Sequence, residues 1–111
     1  MSVDYIVVGA GSAGCVVACR LVQSGARVAL LEAGPRDRNP RIHVPAALRP
    51  LLYDSSVNWN FSSEPTAGSG GRRIGLPRGR VLGGSSSING MLYVRGNAAD
   101  YDGWAQRGCR G

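Results

Sequence analysis

A glycine-rich turn between two short apolar segments constrains the fold of this chain more than any other feature. The turn spans Gly9–Gly14 with the spacing G-x-G-x-x-G and directly follows the β-branched run 5–8. Residues 13–23 have the composition of a helix, and residues 27–31 form a second apolar run. This order predicts an α/β fold that begins with a β-α-β unit, two parallel strands joined by a right-handed crossover.

The side chains of this unit predict how it is packed. Short apolar runs without polar alternation are typical of strands that are covered on both faces of a parallel sheet. On the helix, Val16 and Val17 are expected to pack on that sheet, together with Leu21. Cys15 and Cys19 are expected to be small buried hydrophobes, because neither has a histidine or a third cysteine nearby for a metal site.

The glycine turn and the acid that follows the second strand predict a dinucleotide site. Gly9 permits the tight turn, Gly11 lets the backbone approach a pyrophosphate, and Gly14 lets the helix pack closely on the strand. The helix N-terminus offers free N–H groups to the phosphates. Glu32, 18 residues after Gly14, is placed to accept hydrogen bonds from ribose hydroxyls. These residues alone leave the choice between FAD and NAD open.

The rest of the chain predicts shorter elements around a second loop that is rich in glycine and serine. The expected elements are a short helix over residues 46–52, a strand over 57–61, a hairpin of residues 57–63 and 72–76, the loop at 78–87, a helix over 88–93 and the start of a further helix at 100–104. A doubly wound sheet has about five or six strands. Since only two convincing parallel strands are present, we expect residues 1–111 to be an incomplete domain.

The second loop carries a resemblance to a known family. Residues 80–91 read RVLGGSSSINGM, which closely resembles the flavin-contacting signature of the glucose–methanol–choline (GMC) oxidoreductase family. Residues 93–96 and 100–104, and upstream 32–34 and 58–65, also resemble landmarks of that family in the same order. The resemblance spans nearly all 111 residues and is closest to bacterial choline dehydrogenase and alcohol dehydrogenase-like members.

The resemblance implies the amino-terminal part of a Rossmann-like FAD-binding domain, with a flavin-contacting hairpin and loop. It implies an oxidoreductase that oxidises an alcohol by hydride transfer to the flavin. Some members link the flavin to a histidine just before the asparagine of this loop; Ile88 stands there, so FAD is expected to be bound non-covalently. The residues expected to contact FAD are Gly9, Gly11, Ser12, Ala13, Gly14, Glu32, Ala33, Arg80, Val81, Gly83, Gly84, Ser87, Asn89, Gly90, Met91 and Leu92.

No catalytic residue is expected within residues 1–111. In the family, the histidine that takes the hydroxyl proton lies near the carboxyl end, so it and the substrate domain are expected downstream. The single histidine, His43, matches no such position and is expected to be a structural loop residue. We therefore expect this portion to bind FAD and to be inactive by itself.

The charge and hydropathy of the chain indicate which classes of partner and which cellular location to expect. The formal charge is +6, but all 13 basic residues are arginines spread along the chain without aromatic interleaving, so no nucleic-acid partner is expected. No apolar run reaches the ~20 residues of a membrane-spanning helix. The start of the chain has no basic stretch and no signal-peptide pattern, which predicts a cytoplasmic protein. No metal site is expected.

Two other functions remain open from the residues themselves. The Rossmann portion of an NAD-dependent dehydrogenase would explain the first glycine turn and Glu32, but it leaves residues 83–89 without a role. A stand-alone nucleotide-binding module is the second alternative, and the small number of strands argues against it. The family resemblance implies a small-molecule alcohol as the substrate of the full-length protein. The sequence contains no signal for a particular alcohol, an electron acceptor or an oligomeric state.

Overall fold

The computed structural model describes residues 2–109 and begins with the expected β-α-β unit. Strand β1 spans Tyr5–Val8, helix α1 spans Ser12–Gln23 and strand β2 spans Val28–Leu31. The two strands are parallel, with Tyr5 opposite Val28 at one end of the pair. The predicted strands, helix and parallel pairing are therefore confirmed.

Helix α1 packs on the sheet through its smallest residues. Ala18 is buried, and a Cβ added at Gly14 would lie 3.5 Å from a side-chain atom of Val7. Val16 and Val17 are 59% and 49% exposed, so the prediction that they pack on the sheet is wrong. Successive residues of a helix are rotated by about 100°. Because positions 14 and 18 face the strands, positions 16 and 17 point away from them.

Two further expectations about burial are also wrong within residues 2–109. Cys15 and Cys19 are exposed rather than buried. The strands carry exposed side chains, with Ile6 at 61% and Val8 at 82%. The reason is that, among the described residues, α1 is the one helix that packs on this two-stranded sheet. The prediction that further strands complete the domain stays a prediction.

The second part of the chain is a hairpin, as expected. Strand β3 spans Phe61–Ser62 and pairs antiparallel with strand β4 at Gly75–Leu76. Of the strand predicted over 57–61, only Phe61 belongs to β3, and Asn58 forms an isolated antiparallel bridge with Gly79. The φ of Asn60, +52°, interrupts the extended backbone between them. Before this break the two segments are still joined by backbone hydrogen bonds: Arg80 N–H donates to the carbonyl oxygen of Val57 at 2.8 Å.

The other elements are short. Helix α2 spans Leu48–Leu51 and helix α3 spans Ala98–Gln106, which confirms the two helices predicted near these positions. The 3₁₀ turns lie at Pro40–His43, Pro45–Ala47, Ala67–Ser69 and Gly84–Ser87. No helix among the described residues has both the length and the apolar composition needed to cross a membrane.

The predicted helix over residues 88–93 is wrong. A 3₁₀ turn lies immediately before the predicted helix, at Gly84–Ser87. From there to residue 97 the chain has no regular secondary structure. The side chain of Asn89 accepts a hydrogen bond from Met91 N–H at 2.9 Å, and Met91 has a φ of +53°. This local side-chain bond offers the backbone an alternative to the helix.

A small apolar core lies beneath the second glycine loop. Its buried members are Leu51, Val57, Val81 and Ile88, each no more than 2% exposed, and Ile42 packs against them. We call these four residues the buried cluster. They come from α2, the approach to the hairpin and the two ends of the glycine-serine loop, so they fasten that loop to its neighbours.

Candidate functional site

A cleft of about 830 Å³ lies between the β-α-β unit and the hairpin. Its volume falls in the range of ligand sites for small molecules and cofactors. The cleft is lined by Val8, Gly9, Gly11, Ser12, Ala13, Gly14, Leu31, Glu32, Ala33, Trp59, Phe61, Arg78, Gly79, Gly84 and Ser85.

The first glycine turn forms one wall of the cleft. A Cβ at Gly14 would lie 1.9 Å from the carbonyl oxygen of Gly9, so the helix can begin this close to the strand only because position 14 is glycine. The N-cap residue of α1 is Gly11, which supplies no side-chain hydrogen bond, and the first turn contains no acidic residue. The N–H groups and the positive dipole end of α1 therefore lie at the cleft, and no acidic side chain of the first turn competes for them.

The second glycine loop lies directly against the first. Gly83 N–H donates to the carbonyl oxygen of Ala10 at 2.8 Å, and the hydroxyls of Ser12 and Ser86 are hydrogen-bonded to each other. A Cβ at Gly84 would lie 2.7 Å from the Cα of Gly11. The two loops are thus held together at main-chain contact, and neither behaves as a free linker.

Glu32 lies at the carboxyl end of β2 with its carboxylate turned toward the first loop. Its Oε2 accepts a hydrogen bond from Ala10 N–H at 2.8 Å, and its Oε1 accepts one from Gly34 N–H at 2.9 Å. A carboxylate oxygen has two lone-pair sites, so each oxygen keeps one acceptor position after these bonds. Glu32 can therefore accept hydrogen bonds from hydroxyl groups of a ligand in the cleft while it keeps its hydrogen bonds to the two backbone N–H groups.

The opposite wall is aromatic and cationic. It is lined by Trp59, Phe61 and Arg78, none of which was among the predicted FAD-contacting residues. The rings of Trp59 and Phe61 are stacked with centroids 5.9 Å apart, and both line the cleft. Arg80 lies over the Trp59 ring at 5.5 Å, and Arg78 lines the cleft beside it. The available signal was the i, i+2 spacing of the two rings, which predicts a shared face for them in a strand. In the structure the rings stack across the break in the extended backbone at Asn60.

The structure gathers half of the predicted FAD-contacting residues at the cleft. These are Gly9, Gly11, Ser12, Ala13, Gly14, Glu32, Ala33 and Gly84. The other predicted residues lie outside its lining: Arg80, Val81, Gly83, Ser87, Asn89, Gly90, Met91 and Leu92. Within this second group, Val81 belongs to the buried cluster, and Ser87, Asn89 and Met91 line a separate small cavity of about 40 Å³.

Titratable groups outside the cleft have structural contacts. The hydroxyl and the backbone N–H of Ser56 donate to Asp54 Oδ1 at 2.5 and 3.0 Å, and these bonds lower the pKa of that carboxyl. His43 Nε2 lies 2.7 Å from the carbonyl oxygen of Asp37 and does not line the cleft. Among residues 2–109, no group of three histidine, cysteine or acidic side chains could hold a metal ion.

Comparisons with known proteins agree on one family for this chain. A family model described as GMC oxidoreductase matches residues 3–111. An oxygen-dependent choline dehydrogenase from Photobacterium profundum is 55% identical over 109 residues, which cover 97% of this chain and 19% of that protein. An alcohol dehydrogenase (acceptor) from Pseudomonas putida is 53% identical over 106 residues, covering 95% of this chain and 19% of that protein.

A solved structure agrees with the sequence relatives. The crystal structure of pyridoxine 4-oxidase from Mesorbium loti superimposes with a TM-score of 0.80 at 40% identity, covering 95% of this chain and 21% of that one. The chain thus spans 19 to 21% of the length of these relatives.

Proposed function

The chain belongs to the GMC oxidoreductase family, and from this premise we propose that it holds FAD in an oxidoreductase that oxidises an alcohol. GMC oxidoreductases are FAD-dependent, and the relatives include a choline dehydrogenase and an alcohol dehydrogenase. When bound, the flavin supplies a hydride acceptor. The alcohol as substrate, the hydride transfer and a cytoplasmic location belong to this proposal.

The observation that carries the proposal is the meeting of the two glycine loops at the wall of the cleft. At both Gly14 and Gly84 a Cβ would collide with backbone atoms, so the loops form a tightly fitted surface of main-chain atoms. The exposed N-terminus of α1 opens onto this surface. Free N–H groups with a positive dipole end fit the charge and the size of a diphosphate. The donor set therefore suits a dinucleotide better than a neutral ligand.

We assign the remaining contacts by chemistry. Glu32 keeps one acceptor position on each oxygen for the ribose hydroxyls. The exposed rings of Trp59 and Phe61 offer a flat apolar surface to an aromatic ring of the cofactor, and Arg78 beside them offers a positive charge to its phosphates. By resemblance to the family signature, Asn89 lies on the segment that approaches the reactive edge of the flavin.

An NAD-dependent dehydrogenase uses a similar first turn and a similar acid, but it has no need of a second glycine loop. In this chain the second loop contacts the first through Gly83 and Gly84, beside the proposed diphosphate site. The matching family model spans both loops. These observations favour FAD over NAD.

The test of the proposed site is a titration of FAD into the full-length protein and its Glu32→Ala variant. The substitution removes charge-assisted hydrogen bonds worth about 1.5–3 kcal/mol. The affinity for FAD is expected to fall by about one to two orders of magnitude. Glu64→Ala is the matched control, because Glu64 carries the same charge on the hairpin surface, where it pairs with Arg73. An equal affinity in the wild type and the Glu32→Ala variant would refute the ribose assignment.

We further propose that FAD is bound non-covalently in the full-length protein. Ile88, at the position where some family members carry a flavin-linked histidine, is 2% exposed in the buried cluster and has no nucleophilic atom. Acid precipitation of the full-length holoprotein is therefore expected to release all flavin into the supernatant. Flavin fluorescence that stays with the protein band on a denaturing gel would contradict this proposal.

A further inference from the structure

The carboxylate of Glu32 bridges two backbone amides that belong to different segments. Its two oxygens accept hydrogen bonds from Ala10 N–H at 2.8 Å and from Gly34 N–H at 2.9 Å. Ala10 is 0% exposed, so water cannot replace the carboxylate as the partner of its N–H group. A buried N–H group without an acceptor is costly, which makes this side chain part of the structure before any ligand is bound.

Both bridged segments contact the second glycine loop. The carbonyl oxygen of Ala10 accepts a hydrogen bond from Gly83 N–H at 2.8 Å. On the other side, the carbonyl oxygen of Pro35 accepts one from Leu82 N–H at 2.9 Å. Two separate routes thus lead from one carboxylate to two neighbouring residues of the second loop.

The second of these routes leaves no room for a side chain. A Cβ at Gly34 would lie 2.0 Å from the carbonyl oxygen of Arg80, so the backbones of the two segments are in direct contact. A shift of Gly34 therefore has to move residues 80–82 as well. The hydrogen bond from Gly34 N–H to Glu32 fixes the position of this contact.

We propose that Glu32 is a positioning residue, which sets the spacing between the two glycine loops in addition to binding the ribose. The inference rests on the proposed function only for the identity of the ligand, since the contacts themselves involve no cofactor. Its consequence is that the effect of Glu32 reaches the second loop, which its side chain does not touch.

Glu32→Gln separates positioning from ribose binding. A glutamine amide has nearly the same shape, and it can both accept from and donate to a ribose hydroxyl. It cannot accept on both atoms, so its NH₂ group faces one of the two backbone N–H donors. The variant keeps the ribose chemistry and loses at least one of the two backbone contacts. Glu64→Gln, at the exposed ion pair with Arg73, is the matched control.

The first measurement is amide hydrogen exchange in the ligand-free, full-length protein, read on peptides that cover residues 9–11, 33–35 and 81–84. In the wild type all three peptides are expected to contain protected amides. In Glu32→Gln, exchange is expected to accelerate by about tenfold or more, the loss of one hydrogen bond to a charged group, in the second loop as well as in the first. Glu64→Gln is expected to leave all three unchanged.

Two results would overturn the inference. Acceleration confined to peptides 9–11 and 33–35 would mean that Glu32 has a local structural role and does not position the second loop. Free exchange of Ala10 and Gly34 in the wild type would mean that the bridge does not exist in solution, and this result is decisive even if the variant fails to fold.

The second measurement uses an FAD analogue with a 2′,3′-dideoxy adenosine, which has no ribose hydroxyls. If Glu32 positions the loops, Glu32→Gln weakens binding of this analogue about as much as it weakens binding of FAD. If the residue acts only on the ribose, Glu32→Gln leaves the affinity for the analogue unchanged, and the inference is wrong. A wild-type protein that binds neither ligand would refute the proposed function, while the exchange experiment would still decide the positioning role.

Discussion

The two glycine loops form adjacent walls of one cleft, but they are supported in different ways. The first loop connects helix α1 to strand β1, whose apolar side chains are largely exposed, and its shape depends on the close contact at Gly14 and on the hydrogen bond to Glu32. The second loop rests on the buried cluster, which includes Val81 and Ile88 from its two ends. The comparison teaches that main-chain contacts fix the first loop, whereas apolar packing fixes the second.

Ile88→Ala is expected to have the largest effect on stability, because it removes a side chain from the buried cluster. Truncation of a buried isoleucine to alanine costs about 2–5 kcal/mol through lost burial and the cavity that remains. Urea unfolding of the full-length protein measures the change, and retention of FAD reports whether the second loop keeps its shape.

Ile74→Ala is the matched control for this comparison. The side chain of Ile74 is 50% exposed on the hairpin, so the same truncation is expected to cost less than about 1 kcal/mol. Equal losses for Ile88→Ala and Ile74→Ala would mean that apolar packing beneath the second loop is not what supports it.

Gly14→Ala tests the support of the first loop. The added methyl group would lie 1.9 Å from the carbonyl oxygen of Gly9, which is backbone and cannot rotate away. Overpacking of this kind costs about 1–3 kcal/mol, and the displaced start of α1 is expected to lower the affinity for FAD as well. Thermal unfolding and FAD titration measure the two effects.

Gly103→Ala gives the opposite sign and serves as the control. Gly103 lies inside α3, and a Cβ there would meet no atom within 4 Å. Alanine in a helix interior is favoured over glycine by about 0.5–1 kcal/mol, so this variant is expected to be slightly more stable than the wild type. If Gly14→Ala were equally harmless, close packing would not be what fixes the first loop.

The β-α-β unit and the first loop could be predicted from the sequence because their signals are local. Glycines at positions 9, 11 and 14, between two short apolar runs, specify the turn, and an acid at position 32 follows the second strand. The exposure of Val16 and Val17 could not be predicted in this way, because it depends on which face of α1 meets the strands. The same limit applies to Trp59, whose position at the cleft depends on where the hairpin packs.

The second loop was harder to predict in detail. Residues 88–93 have enough apolar side chains for a helix, but the hydrogen bond that Met91 N–H donates to the Asn89 side chain competes with helical bonding there. Ile88 itself serves the buried cluster, whose other members are distant in sequence, such as Leu51. Only the resemblance to a family indicated that this loop joins the cofactor site.

Asp54→Asn is expected to have the smallest effect on the free energy of unfolding, and the size of this effect is expected to depend on pH. The bonds from Ser56 lower the pKa of Asp54 in the folded protein, with smaller contributions from Asn39 and Arg41. A lowered folded-state pKa stabilises the fold above the unfolded pKa of about 3.9, and the contribution is lost as the pH falls through the folded value.

The gap in unfolding free energy between the wild type and Asp54→Asn is therefore expected to be largest at neutral pH and to shrink below about pH 4. Urea unfolding at a series of pH values measures this gap. A gap that widens as the pH falls would contradict the assigned direction of the pKa shift, and with it the role of Asp54 in holding the chain before the hairpin.

A crystal structure of the full-length protein with FAD tests most directly whether the two loops act as one site. The account predicts that the diphosphate lies within hydrogen-bond distance of N–H groups in the first turn of α1 and, on its other side, of the backbone at Gly84 and Ser85. We also expect Glu32 to keep the hydrogen bond from Ala10 N–H while it accepts hydrogen bonds from the ribose hydroxyls. A diphosphate that contacts one loop alone, with the other more than a water molecule away, would contradict the account.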